Sequence, residues 1–130
     1  MNNLQLTAGQ QSGAAGTIYQ NMNVKNTGKR TCAIGGYPAA FLYGNDGYAI
    51  GSSAALSPNP APTAVTLAPG ETAHTTLGFP QHGNFPSGSC SSGTSTMLKL
   101  YLPGSTDSLQ TTLEEYWCPG FSATAMQPGS

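Results

Sequence analysis

Along this 130-residue chain, short runs in which apolar and polar side chains alternate are cut every few residues by glycine, proline or asparagine. A period of two places successive side chains on opposite faces, the mark of a strand with one side buried. The clearest run is 96–102, with Leu98, Leu100 and Leu102 on one face and Met97, Lys99 and Tyr101 on the other. In 17–25, Ile18, Met22 and Val24 alternate with Tyr19, Asn21, Asn23 and Lys25. In 72–79, Ala73, Thr75, Leu77 and Phe79 oppose His74 and Thr76. Shorter strands are predicted at 4–7, 31–34, 39–43, 48–50, 64–67 and 121–126. Turns are predicted at Asn26-Thr27-Gly28-Lys29, with Gly28 suited to positive φ, at Asn45-Asp46-Gly47, and at Pro69-Gly70, the central pair of a type II turn. Residues 13–16 read as a flexible link, 57–62 as a proline-rich extended loop, and 80–93 as a long loop rich in Gly and Ser. Helix is confined to a turn or two within 109–116. About nine short strands with no domain boundary predict a single all-β domain, 1–130, of the immunoglobulin-like β-sandwich kind. Half-apolar strands of this sort hide their apolar sides by stacking sheet on sheet.

Charge narrows the function classes. Only 7% of the residues are charged, against about 25% in typical soluble domains, and the net charge is −1. Nucleic acid, which needs a basic face to neutralise phosphates, is not an expected partner. Nor is an anionic membrane surface. Glycine (17) and proline (10) break up the 38% of apolar residues, so no membrane-spanning helix is expected. Met1 is followed directly by Asn2 and Asn3, without a basic or apolar run, so an export signal is not visible. Of two readings, a cytosolic chain and one whose export signal has been trimmed away, the cysteines favour the second.

Three patterns stand in one order: Val24-Lys25-Asn26-Thr27-Gly28, then Thr31-Cys32-Ala33-Ile34-Gly35-Gly36-Tyr37-Pro38, then Val65-Thr66-Leu67-Ala68-Pro69-Gly70-Glu71-Thr72-Ala73. Together they resemble the DUF4232 family of actinobacterial secreted proteins and lipoproteins, over nearly the whole chain from Leu4 to Pro128. The resemblance implies an immunoglobulin-like sandwich exported to the cell envelope, often behind a lipid anchor or linker, with no established activity. Its motifs are those of turns and strand packing and carry no chemistry.

Three cysteines, Cys32, Cys90 and Cys118, leave one unpaired. Members of the family often carry a further cysteine before the opening strand, where this chain has Met1-Asn2-Asn3, and that cysteine is implied to pair with the one in the second motif. Carried over, the resemblance implies a Cys90–Cys118 bridge and leaves Cys32 unpaired; a Cys32–Cys90 bridge with Cys118 free is the alternative. Either bridge fits an oxidising compartment.

Candidate chemistry is sparse. His74, His82 and Cys90 match no metal-ligand spacing, and Met22, Met97 and Met126 lie on three separate strands, so neither a metal nor a cofactor is expected. Met22, Met97 and Met126 read as gap-filling core or surface residues. The carboxylates Asp46, Glu71, Asp107, Glu114 and Glu115 offer no obvious catalytic pair. There is no nucleophile elbow and no phosphate-binding glycine motif. Aromatics are the remaining feature: Tyr43, Tyr48, Tyr101, Tyr116, Trp117 and Phe121 are many for a small core. Exposed rings on a β face stack well on sugars, and Tyr101, alternating with Leu100 and Leu102, is the first candidate for exposure. Trp117, beside Cys118, is expected to pack in the core against a disulfide.

The expected function is that of a non-catalytic, monomeric domain, secreted or anchored at the cell envelope, that binds or supports an unknown protein or glycan. Its candidate contact loops are 58–62 and 80–88. The alternatives are a cell-wall glycan-binding module contacting its ligand through Tyr101, Tyr43, Tyr48 and Trp117, and a hydrolase pairing His82 with Asp107 or Glu115.

Overall fold

A computed structural model describes residues 4–14, 16–58, 61–81, 88–91, 93–103 and 108–129. Among these there is no helix, and the strands stack as a sandwich-like all-β fold. The strands are β1 (Leu4–Ala14), β2 (Thr17–Asn26), β3 (Cys32–Ala33), β4 (Ala39–Tyr43), β5 (Ala49–Ile50), β6 (Ala55–Leu56), β7 (Thr66–Leu67), β8 (Thr72–Pro80), β9 (Met97–Tyr101), β10 (Ser108–Thr112), β11 (Ser122–Ala123) and β12 (Gln127–Pro128). One sheet runs β1-β2-β8-β11-β6, with β12 also paired to β8; the second runs β10-β9-β4-β5; β3 and β7 form a separate two-stranded ribbon.

The alternation read from sequence sets the two inner faces. Met22, Val24, Ala73, Leu77 and Phe79 of the first sheet meet Ala40, Leu42, Leu98 and Leu100 of the second in one buried cluster, which Leu67 of the ribbon and Ile34, just after β3, join. Phe79 stacks on Phe121 with centroids 5.0 Å apart. Met22 and Met126 are fully buried there, where an unbranched thioether fills irregular space. Segment 54–57 carries the chain between the sheets: Ala54 N–H donates to Ala40 C=O of the second, Ala55 and Ser57 N–H to Phe121 and Ala123 C=O of the first.

The turns show how the sequence motifs work. Pro69-Gly70 closes as expected, with Glu71 N–H donating to Ala68 C=O at 3.0 Å and Gly70 at φ 86°, the left-handed position a type II turn requires. Glu71 Oε1 also accepts the Ala68 N–H at 2.7 Å. At 26–29 the outcome differs: Gly28 is not left-handed. Instead Asn26 Oδ1 accepts the Gly28 N–H at 3.0 Å, while Asn26 Nδ2 donates to Arg30 C=O at 2.7 Å and Leu67 C=O at 2.9 Å. A side-chain turn thus replaces a backbone one, and it ties β2 to the ribbon.

Three further expectations are corrected. Residues 109–116 contain no helix: β10 pairs with β9 from Ser108↔Tyr101 to Thr112↔Met97. An isolated helix that short is marginal in water, whereas pairing satisfies β9's outer backbone groups and turns Leu109 onto the core. Of the link at 13–16, residues 13 and 14 belong to β1, whose last residue, Ala14, pairs with Thr17, and Gly16 stands at φ 77°. The segment 121–126 holds only β11, with β12 beyond it.

Cys90 and Cys118 stand at bonding distance, S–S 2.14 Å, and Cys32 on β3 is a free, half-buried thiol. The bridge holds together the chain segments on either side of β9 and β10. Beside it, Ser91 N–H donates to Trp117 C=O at 2.8 Å and Trp117 N–H to Ser91 Oγ at 3.0 Å.

Candidate binding face

The second sheet turns a distinct surface outward. Because Leu42, Leu98 and Leu100 face the core, Phe41 and Tyr43 of β4 and Met97, Lys99 and Tyr101 of β9 face away from it, all partly exposed. The antiparallel register Ala39↔Tyr101, Phe41↔Lys99 and Tyr43↔Met97 interleaves the two sets. On the far side β10 sets Ser108 opposite Tyr101 and Gln110 opposite Lys99. From Tyr101 to Tyr43 the surface runs about 14 Å, four residues along the strand and one strand across.

The side chains are held in place by one another. Phe41 and Tyr101 meet edge to face, centroids 5.9 Å apart and planes at 89°, a favoured aromatic geometry. The Lys99 ammonium sits 4.2 Å from the centre of the Tyr43 ring, within the range of a cation–π contact. Three rings, Phe41, Tyr43 and Tyr101, thus gather about a positive charge, with hydroxyl and amide groups along the β10 rim.

Tyr101 and Tyr43 are therefore brought together, and the other two sequence candidates are not. Tyr48, 74% exposed, stands in the β4–β5 hairpin connection. Trp117 is half-buried against the core at the end of β5: its indole covers Gly51, where a Cβ would run into the ring, and its Nε1 donates to Ser52 C=O at 3.0 Å. Phe41 belongs to the surface and was missed, although its alternation with Ala40 and Leu42 was the signal available.

Other candidate chemistry falls elsewhere. His82 and Asp107 lie outside the described residues, as do 59–60 of one expected contact loop and 82–87 of the other. Glu115 Oε2 accepts from Gln11 Nε2 at 3.3 Å; burial pushes its carboxyl above the usual glutamate range, with the Gln11 hydrogen bond opposing. His74 Nδ1 lies 2.8 Å from Gly129 O on the outer face of the first sheet. Among the described residues no group of three or more His, Cys, Asp or Glu is arranged to hold a metal ion. An open depression of about 380 Å³ beside the β4–β5 hairpin is lined by Gly44, Asn45, Asp46, Ile50, Ser91, Gly93 and Thr94. It contains an acid but no histidine, and Asp46 Oδ1 is engaged by the Tyr48 N–H at 3.0 Å.

No helix among the described residues is long and apolar enough to cross a membrane. The chain belongs to the DUF4232 family, described as a domain of unknown function, whose family model matches residues 1–127. No curated protein and no solved structure matches the chain.

Proposed function

We propose, starting from a family whose description carries no activity, that this chain is a non-catalytic binding domain. On this reading it works outside the cytosol, secreted or held at the cell envelope, and grips a polysaccharide with the outward face of its four-stranded sheet. The observation that carries the proposal is the β4–β9 register, which assembles Phe41, Tyr43 and Tyr101 on one partly exposed surface. Aromatic faces take up the C–H side of sugar rings, and the neighbouring Ser108 and Gln110 supply the polar groups that orient hydroxyls. A length of about 14 Å suits several linked rings better than one sugar. The Cys90–Cys118 pair favours an oxidising setting.

The test is retention on insoluble cell-wall polysaccharide, comparing the natural chain with Tyr101→Ala. The variant should lose most of the retention and keep the melting behaviour of a folded protein, because Tyr101 is only partly buried. Equal retention of both would reject this surface and leave the domain as a scaffold.

A further inference from the structure

Resting on that reading, we infer that the polysaccharide is an acidic one, whose carboxylate is read by Lys99. The register places Lys99 inside the aromatic surface, opposite Phe41 on one side and Gln110 on the other. Most lysines on sheet surfaces swing freely; this one has its ammonium settled over the Tyr43 ring. That contact partly dehydrates the charge and fixes its position, so less side-chain freedom is lost when an anion arrives.

Of the described carboxylates, Asp46, Glu71, Glu114 and Glu115, none pairs with it, and Glu114 is exposed just after β10. Asp46 belongs to the β4–β5 hairpin connection, where its Oδ1 is held by the Tyr48 N–H. Glu71 binds the Ala68 N–H in the turn before β8, and Glu115 receives Gln11 at the β1 side. Among the described residues no carboxylate pairs with Lys99, whose interaction is the one with Tyr43. The ring quadrupole attracts the cation from one side only, which leaves the ammonium N–H groups on the other side for an external acceptor. With only 7% charged residues, a cation at the centre of an aromatic surface stands out from its surroundings as the group that would select among ligands.

A uronate chain fits this chemistry. Its rings pack on Tyr101 and Phe41 while a carboxylate reaches Lys99, so stacking provides affinity for sugar and Lys99 the preference for acid. Neutral glycans would keep the first contribution and lose the second.

The experiment uses polygalacturonate and its fully methyl-esterified form, which share a backbone and differ in charge, with soluble poly-glutamate as a third probe. The natural chain should bind polygalacturonate at least tenfold more tightly than the ester, with the difference shrinking at high salt. Lys99→Gln should bind both polymers alike, at the level the ester shows with the natural chain. Tyr101→Ala should weaken both, and Lys25→Gln, on the other sheet, should change neither. Equal binding of the two polymers by the natural chain would overturn the acidic assignment while leaving the glycan reading standing. Binding of neither polymer would overturn both. Poly-glutamate bound as tightly as polygalacturonate would show that the face reads charge without sugar, and would overturn the assignment as well.

Discussion

Asn26 shows how much one side chain can organise. It is 1% exposed, and in that setting its amide closes the 26–28 turn while satisfying the carbonyls of Arg30 and Leu67. Its backbone joins in, N–H to Glu71 C=O at 3.0 Å and C=O from Gly70 N–H at 2.8 Å, so two of the family-motif turns meet at this residue. Replacing it by alanine would leave buried polar groups without partners, each costing about 1–3 kcal/mol. We expect Asn26→Ala to lose about 2–4 kcal/mol in urea unfolding with an unchanged m-value. A loss under about 1 kcal/mol would mean that water replaces the amide there. The sequence marks this spot as a turn, but through the wrong residue: glycine suggested positive φ, whereas the asparagine makes the turn. The distinction was hidden because the partner carbonyl of Leu67 is remote along the chain.

At the level of elements, legibility follows how far the signal depends on distant partners. β9 is readable because Leu98, Leu100 and Leu102 repeat in strict alternation, and all three are buried. β10 is not: Leu109 and Leu113 stand a helical turn apart, and what makes this segment a strand is the open edge of β9 beside it. Just after β10, Glu115 makes a further prediction. Its carboxyl is protonated more readily in the folded chain than in the unfolded one, because burial disfavours the charge. The folded state therefore binds more protons at pH values just above the usual glutamate range. Stability is greatest below that window and falls as pH rises through it. Glu115→Gln should flatten this decline, seen as a smaller drop in Tm from mildly acidic to neutral pH. An unchanged pH profile would remove Glu115 as its source.

For the whole molecule, the Cys90–Cys118 bridge spans 28 residues and ties together the segments flanking β9 and β10. Closing a loop of that size restricts the unfolded chain by about 3–4 kcal/mol, which is what the double variant Cys90→Ser/Cys118→Ser should lose. Thiol counting without reductant should find one reactive group per chain, Cys32; three would contradict the bridge. The candidate surface was legible only in halves. Alternation within 96–102 and within 39–43 turns Tyr101 and Tyr43 away from the core, but that the two runs lie side by side is a long-range pairing that no local period encodes. β1 has a consequence for the behaviour of many copies. It is an outer strand of eleven residues with no charge and no proline, the kind of border along which identical chains can zip together. Between Ala8 and Gln11 its register slips, and Gln20 Nε2 stitches the displaced stretch through Gly9 C=O at 2.9 Å. That irregularity interrupts a border which so weakly charged a protein has little repulsion to protect. Removing Gln10 would restore regular pairing with β2 on both sides and should lower the concentration at which light scattering detects fibrous or amorphous clumping.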